Sequence, residues 1–228
     1  MVRWQPGTSE RLQAAALELF ASQGYEQTTA AEIAQSVGLT ERTFFRHFSD
    51  KREALFHGQE LLVEAFLAGV ADAPDDASPM ELVGAALESG ARFFPGERRD
   101  HSRLRQSVID QYPALQERER HKMSVLATTL RDTLRARGVA EPAATLAAES
   151  AATVFGVSFT QWIAPGEDRS IGEIERSVLA ELRGLTAVGP GSAARARQAA
   201  PDPETGTAQA PGRAAASSAS PGTGSPRA

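Results

Sequence analysis

The stretch from Thr28 to Lys51, TTAAEIAQSVGLTERTFFRHFSDK, limits this chain more than any other part of it. Thr28 and Thr29 can each cap a helix start, because a hydroxyl there accepts from free backbone N–H groups. Glu32 follows Thr29 at the spacing of a capping box. Ile33 and Val37 fall on one helical face, and Gly38 ends the short helix by taking up a left-handed turn without steric cost. Leu39 returns to the core and Thr40 caps a second helix. Phe44 and Phe48 then share an inward face, leaving Arg42, Thr43, Phe45, Arg46 and His47 on the others. Two short helices joined by a tight glycine turn predict a helix-turn-helix, whose second helix can lie in a DNA major groove.

The longer string is more specific than the motif. Thr28, Thr29, Ile33, Ala34, Gly38, Leu39, Thr40, Thr43, Phe44, Phe45, His47, Phe48 and Lys51 follow the pattern TT-x-x-x-IA-x-x-x-G-(V/L)-(S/T)-x-x-T-(L/F)-(Y/F)-x-HF-x-x-K. This strongly resembles the tetracycline-repressor (TetR) family of bacterial regulators. The resemblance is sharp over about the first fifty residues; beyond them it is one of length and helical character. It implies an all-α fold, an N-terminal three-helix DNA-binding domain, a C-terminal helical domain that dimerises and binds a small ligand, and cytoplasmic residence. It also implies that His47 and Lys51 hold phosphate, in line with the attraction of a helix start for anions. Where the family often has glycine, Arg42 stands as a candidate specificity residue. Where it usually has tyrosine, Phe45 can pack on sugar or a thymine methyl.

Arginine pairs two-pronged with guanine, so Arg42 near the start of the recognition helix is a candidate base reader; the plainer role is a surface arginine paired with Glu41 or Asp50. Thr29 and Thr40 either give hydroxyls to phosphate or serve as caps, and Thr43, Phe45 and Arg46 complete the candidate DNA contacts. One recognition helix reads only a few base pairs. A homodimer on a palindromic site is therefore expected, and the last two helices are the candidate interface.

Taken over the whole chain, charge argues against a DNA partner, since the 228 residues carry a net −5. The imbalance is elsewhere, however. Residues 1–52 hold six acids and six bases, while residues 53–186 hold 21 acids and 14 bases. Within the motif Arg42, Arg46, Lys51 and Arg52 face only Glu41 and Asp50, which puts positive charge where a small DNA reader needs it.

The chain divides into residues 1–52, the DNA-binding domain; 53–186, the ligand-binding and dimerisation domain; and 187–228. A short arm with Arg3 leads into a first helix from about Ser9 to Gln23. One helix over about 51–72, capped by Asp50 and carrying Leu55, Leu62, Phe66 and Val70 inward, is expected to link the two domains and to end at the turn-rich ADAPDDASP. Further helices are predicted over Pro79–Phe94, Glu97–Gln111, from Pro113 to Gly138, after Pro142, and over Ser170–Leu185. From Ala187 onward there is no Leu, Ile, Met or aromatic residue, so the tail cannot offset chain entropy and is expected to be disordered.

Candidate pocket residues are Phe93, Phe94, Tyr112, Phe155, Phe159 and Trp162, with Arg103, Arg105 and Asp110 for a polar ligand; aromatics at helical spacing also serve as plain core. No cofactor is expected. An enzyme is the remote alternative: there is no HExxH pair, GxxxxGK[ST] loop or GxSxG elbow. With no cysteine, a thiolate metal site is impossible, and His57, Glu60 and Glu64, which would share a helix face, read better as a charged surface than as a metal site. A ligand-blind or protein-controlled regulator, or an activator, remains the closer alternative. The sequence has neither an apolar leader run nor a stretch of about 18 apolar residues.

Overall fold

The computed structural model describes residues 7–186. The Arg3 arm and the 187–228 tail lie outside the described residues. Everything described is α-helix, 3-10 helix or turn: α1 (Thr8–Gln23), α2 (Ala30–Ser36), α3 (Glu41–His47), α4 (Lys51–Leu55), α5 (Gln59–Asp72), α6 (Pro79–Ala91), a 3-10 turn (Gly96–Arg98), α7 (Arg99–Ile109), α8 (Pro113–Ala136), α9 (Ala143–Trp162) and α10 (Ile171–Thr186). No described helix is long and apolar enough to cross a membrane.

Two hydrophobic clusters organise the helices. The first gathers Leu12, Ala16, Leu17 and Phe20 of α1 with Ile33 and Ala34 of α2, Phe44, Phe48, Leu55 and Phe56. It does not stop at residue 52: Val108 and Ile109 from the end of α7 and Leu115 from the start of α8 complete it. The second cluster is built by α5, α6, α8, α9 and α10. Here α9 is the central helix, packed by α6, α8 and α10. Its inner face carries Ala144, Ala147, Ala148 and Ala151, whose small side chains let neighbouring helices come close. Glycine has the same use between α5 and α6. A Cβ on Gly69 would lie 2.3 Å from the Ala85 carbonyl oxygen, and one on Gly90 would lie 2.2 Å from the Phe66 ring.

The single helix expected over 51–72 is two helices. Phe56, His57 and Gly58 interrupt it, with Gly58 left-handed at φ 85° as the N-cap of α5. Apolar spacing hides this break, since Leu55, Leu62, Phe66 and Val70 are all buried as predicted. The break turns Phe56 into the first cluster and leaves Leu62 in the second. Smaller shifts occur downstream: α6 stops at Ala91, before Phe93 and Phe94, and the polar helix opens with a 3-10 turn.

Candidate functional site

The helix-turn-helix is held by local hydrogen bonds that its sequence encodes. Thr29 Oγ1 accepts from Glu32 N (3.2 Å), and the Glu32 carboxylate accepts from Thr29 N (2.8 Å), closing the capping box. The Thr29 N–H and hydroxyl, both donating to it, pull the Glu32 carboxyl below its usual range. Thr40 Oγ1 likewise accepts from Thr43 N (3.2 Å) and lies 3.0 Å from Thr43 Oγ1. Both hydroxyls therefore act as caps. Thr28 does something else: it is fully buried, and its hydroxyl donates to the Gly24 carbonyl (2.8 Å). Gly38 is left-handed at φ 72°, and Arg11 reaches from α1 to donate to the Val37 carbonyl (2.6 Å), pinning the turn.

With Phe44 and Phe48 turned into the core, α3 presents Arg42, Phe45, Arg46 and His47 to solvent. Phe45 is 51% exposed, unusual for so large an apolar side chain. Neither Glu41 nor Asp50 pairs with Arg42; Asp50 instead caps α4 through Glu53 N (3.0 Å) and accepts from Arg52 (3.2 Å). Lys51, expected to hold phosphate, is engaged within the fold. Its ammonium donates to the carbonyls of Tyr25 (2.7 Å), Thr28 (2.9 Å) and Glu26 (3.3 Å), and it sits 4.4 Å from the Tyr25 ring centroid. All three N–H groups thus fasten α4 to the α1–α2 loop.

A cavity of about 400 Å³ lies beside the break between α4 and α5. Gln13 of α1, Leu55, Phe56, His57 and Gly58 form one wall. Leu62, Phe93, Phe94, Met123, Phe155, Phe159 and Ile163 form the apolar body, and Arg98, His101, Arg105, Gln106, Asp110 and Glu119 bring polar groups. Four of the six aromatic candidates, Phe93, Phe94, Phe155 and Phe159, meet here. The other two do not. Tyr112 packs on Tyr25 and its hydroxyl accepts from Tyr25 N (3.2 Å), bracing the DNA-binding module. Trp162 is fully buried behind Phe94 and Phe159. Of the polar candidates, Arg105 and Asp110 line the cavity, whereas Arg103 is spent on the Ile163 carbonyl (2.8 Å) and Asp100 (2.9 Å).

The cavity wall is wired to the DNA-binding helices. Gln13 donates to the His57 carbonyl (3.1 Å), the His57 ring meets Phe48 edge-on at 5.4 Å, and Arg105 donates to the Leu55 carbonyl (3.0 Å). From α8, Arg118 pairs with Glu53 of α4 (2.7 Å) in a largely shielded ion pair. Gln13, Arg98, His101, Met123 and the 56–58 break were not legible as site residues. Only Gly58, a glycine inside a helical pattern, signalled anything. Among the described residues no group of three or more His, Asp or Glu is placed to hold a metal ion, and His57 is not even on the same helix as Glu60 and Glu64.

A short helix capped by threonine, with an inward aromatic face and an outward basic one, set against a second helix through a glycine turn, defines a DNA-reading helix-turn-helix. Residues 12–57 match the family model described as bacterial regulatory proteins, tetR family. An 82-residue stretch is 40% identical to the HTH-type transcriptional regulator TcmR of Streptomyces glaucescens; it covers 36% of this chain and 36% of that relative's length. Over the whole described fold, a putative fatty acid metabolism regulator of Clostridium perfringens superposes with a TM-score of 0.53 at 14% identity, covering 78% of this chain and 100% of the other. The fatty acid degradation regulator FadR of Bacillus halodurans gives 0.52, also at 14% identity, covering 81% and 99%. At that identity the likeness is one of fold alone.

Proposed function

We propose that this protein is a homodimeric transcriptional repressor of the cytoplasm that binds a palindromic operator and lets go when a small molecule enters the cavity beside the α4–α5 break. One observation carries the reading: the same residues wall the cavity and join the DNA-binding helices to the rest. Leu55, Phe56, His57 and Gly58 line it, and Gln13 belongs to α1 itself. An occupant that binds one setting of this junction better than another shifts the spacing of the two recognition helices. Half-sites are expected about 34 Å apart, or a multiple of that. Exposed Leu146 and Val157 on α9 and Leu185 on α10 give the last two helices an apolar outer surface suited to a second copy.

The reading is tested by selecting genomic fragments with the purified full chain and sequencing them. A recovered palindrome bound two chains per site, and released by a compound that fills the cavity, is the expected result. Random fragments with steep loss in salt, or a palindrome that no cavity ligand releases, count against specific reading and against ligand control respectively.

A further inference from the structure

The cavity sets an aromatic cluster beside a cation. The Phe93, Phe94, Phe155 and Phe159 rings pack against one another at centroid distances of 5.3–5.9 Å. Against that cluster sits a cation without a counter-ion. Arg98 is half-buried, donates to the Phe93 carbonyl (2.9 Å), and holds its guanidinium 4.4 Å from the Phe93 ring centroid. Among the described residues no carboxylate lies within ion-pair distance of it.

Arg105 makes the contrast. It also lines the cavity, but Glu119 neutralises it at 2.9 Å. The second carboxylate of the lining, Asp110, accepts from Gln106 (2.8 Å) at the far end of α7, a helix whose 11 residues span about 16 Å. Among the described residues the lining therefore leaves two charges without an ionic partner, Asp110 and Arg98, at opposite ends of α7, and it is Arg98 that lies against the Phe93 ring. Taking a guanidinium partly out of water with nothing opposite costs stability unless a ligand supplies the partner. His101, one turn on, has its pKa lowered by lost hydration and by Arg98 and Arg105. It stands there as a neutral hydrogen-bonding ring near pH 7.

We propose that the cavity takes an anionic amphiphile, its acid group paired with Arg98 and its apolar body laid against Phe93, Phe94, Phe155 and Phe159. This rests on the cavity being the effector site. About 400 Å³ is within the range of small-molecule pockets, about 300–1,000 Å³.

Two fluorescent probes of nearly one shape separate the contributions: anilinonaphthalene sulfonate, which is anionic, and phenylnaphthylamine, which is neutral. Both are titrated into the full-length protein and its Arg98→Gln, Arg98→Lys and Phe159→Ala variants, each checked by its melting curve. The parent is expected to bind the sulfonate at least about tenfold more tightly than the neutral probe, as a charge-assisted pair requires. Arg98→Gln should weaken the sulfonate far more than the neutral probe and so remove that preference, Arg98→Lys should keep part of it, and Phe159→Ala should weaken both probes. Equal binding of the two probes to the parent, or a sulfonate preference that survives Arg98→Gln, overturns the anionic class and leaves the cavity as effector site. Failure of both probes to bind the parent, or binding of both unaffected by Phe159→Ala, overturns the class together with the site.

Discussion

At the scale of single residues, we propose that α3 separates side chains that read bases from side chains that hold phosphate. Arg42 is exposed and free of Glu41 and Asp50, so its guanidinium is available to a base edge. Arg42→Ala is predicted to lose about 1–3 kcal/mol of discrimination between matched and scrambled sites, read by competition binding, with a smaller loss of total affinity. Arg46→Ala should weaken all DNA alike and lower the salt slope by about one, with no change in melting temperature. Lys51 behaves differently. Its three bonds to loop carbonyls predict that Lys51→Met destabilises the protein by about 1–3 kcal/mol, visible in a thermal melt without DNA. Caps, glycine turn and inward phenylalanines were legible because each acts over three or four residues. The fate of the Lys51 ammonium was not, because its partners lie 23 to 26 residues away.

Helices were legible where a stop residue closes them, as with Gly24, Gly38 and Gly138, all at positive φ. The α4–α5 break escaped because burial on both sides keeps a helical rhythm across it. Its cost is local: a Cβ on Gly58 meets only Phe93 at 3.8 Å, so Gly58→Ala pays for backbone conformation alone, about 1–2 kcal/mol. That variant should melt slightly earlier and shift the effector concentration needed for half-release. Gly69→Ala is expected to be worse, because its Cβ would overlap the Ala85 carbonyl and force α5 from α6. A loss of about 1–3 kcal/mol by denaturant titration is predicted, and an unchanged midpoint would contradict that close approach. Which of six aromatics lined a cavity depended on where α7 crosses the bundle, and periodicity carries no such information.

Across the whole molecule, α10 adds a pH dependence. Glu175 is 2% exposed, and neither of its carboxylate oxygens has a hydrogen-bond partner among the described residues. Burial pushes its carboxyl up to about 8, against a weaker opposite pull from Arg176. Below an ordinary pKa of 4.5 the folded and unfolded forms are both protonated and the residue has no effect. Between 4.5 and about 8 the folded chain holds a proton that the unfolded chain releases, so stability falls as pH rises, by at most about 1.4 kcal/mol per unit. Glu175→Gln should therefore be more stable than the parent at about pH 9, with the gap narrowing toward about pH 5. Equal pH profiles in the two proteins would refute the burial argument. The all-helical class was readable from sequence because every apolar stripe had helical spacing. The two clusters were not, because α8 contributes to both and α7 closes the first from a long way down the chain.

Val108, Ile109, Leu115 and Tyr112 come from the corner between α7 and α8, yet they finish the core and brace the loop of the DNA-reading helices. The reading head of this protein is therefore not a detachable cartridge. A graft of another regulator's first fifty-odd residues onto this body would meet a socket shaped for Phe20, Tyr25 and Phe56. Chimeras that carry the donor's matching corner along with its head should retain DNA binding, and those that exchange the head alone should lose it. Operator preference can then drift freely on the outer face of α3, while α1 and the loop after it stay tied to the corner between α7 and α8.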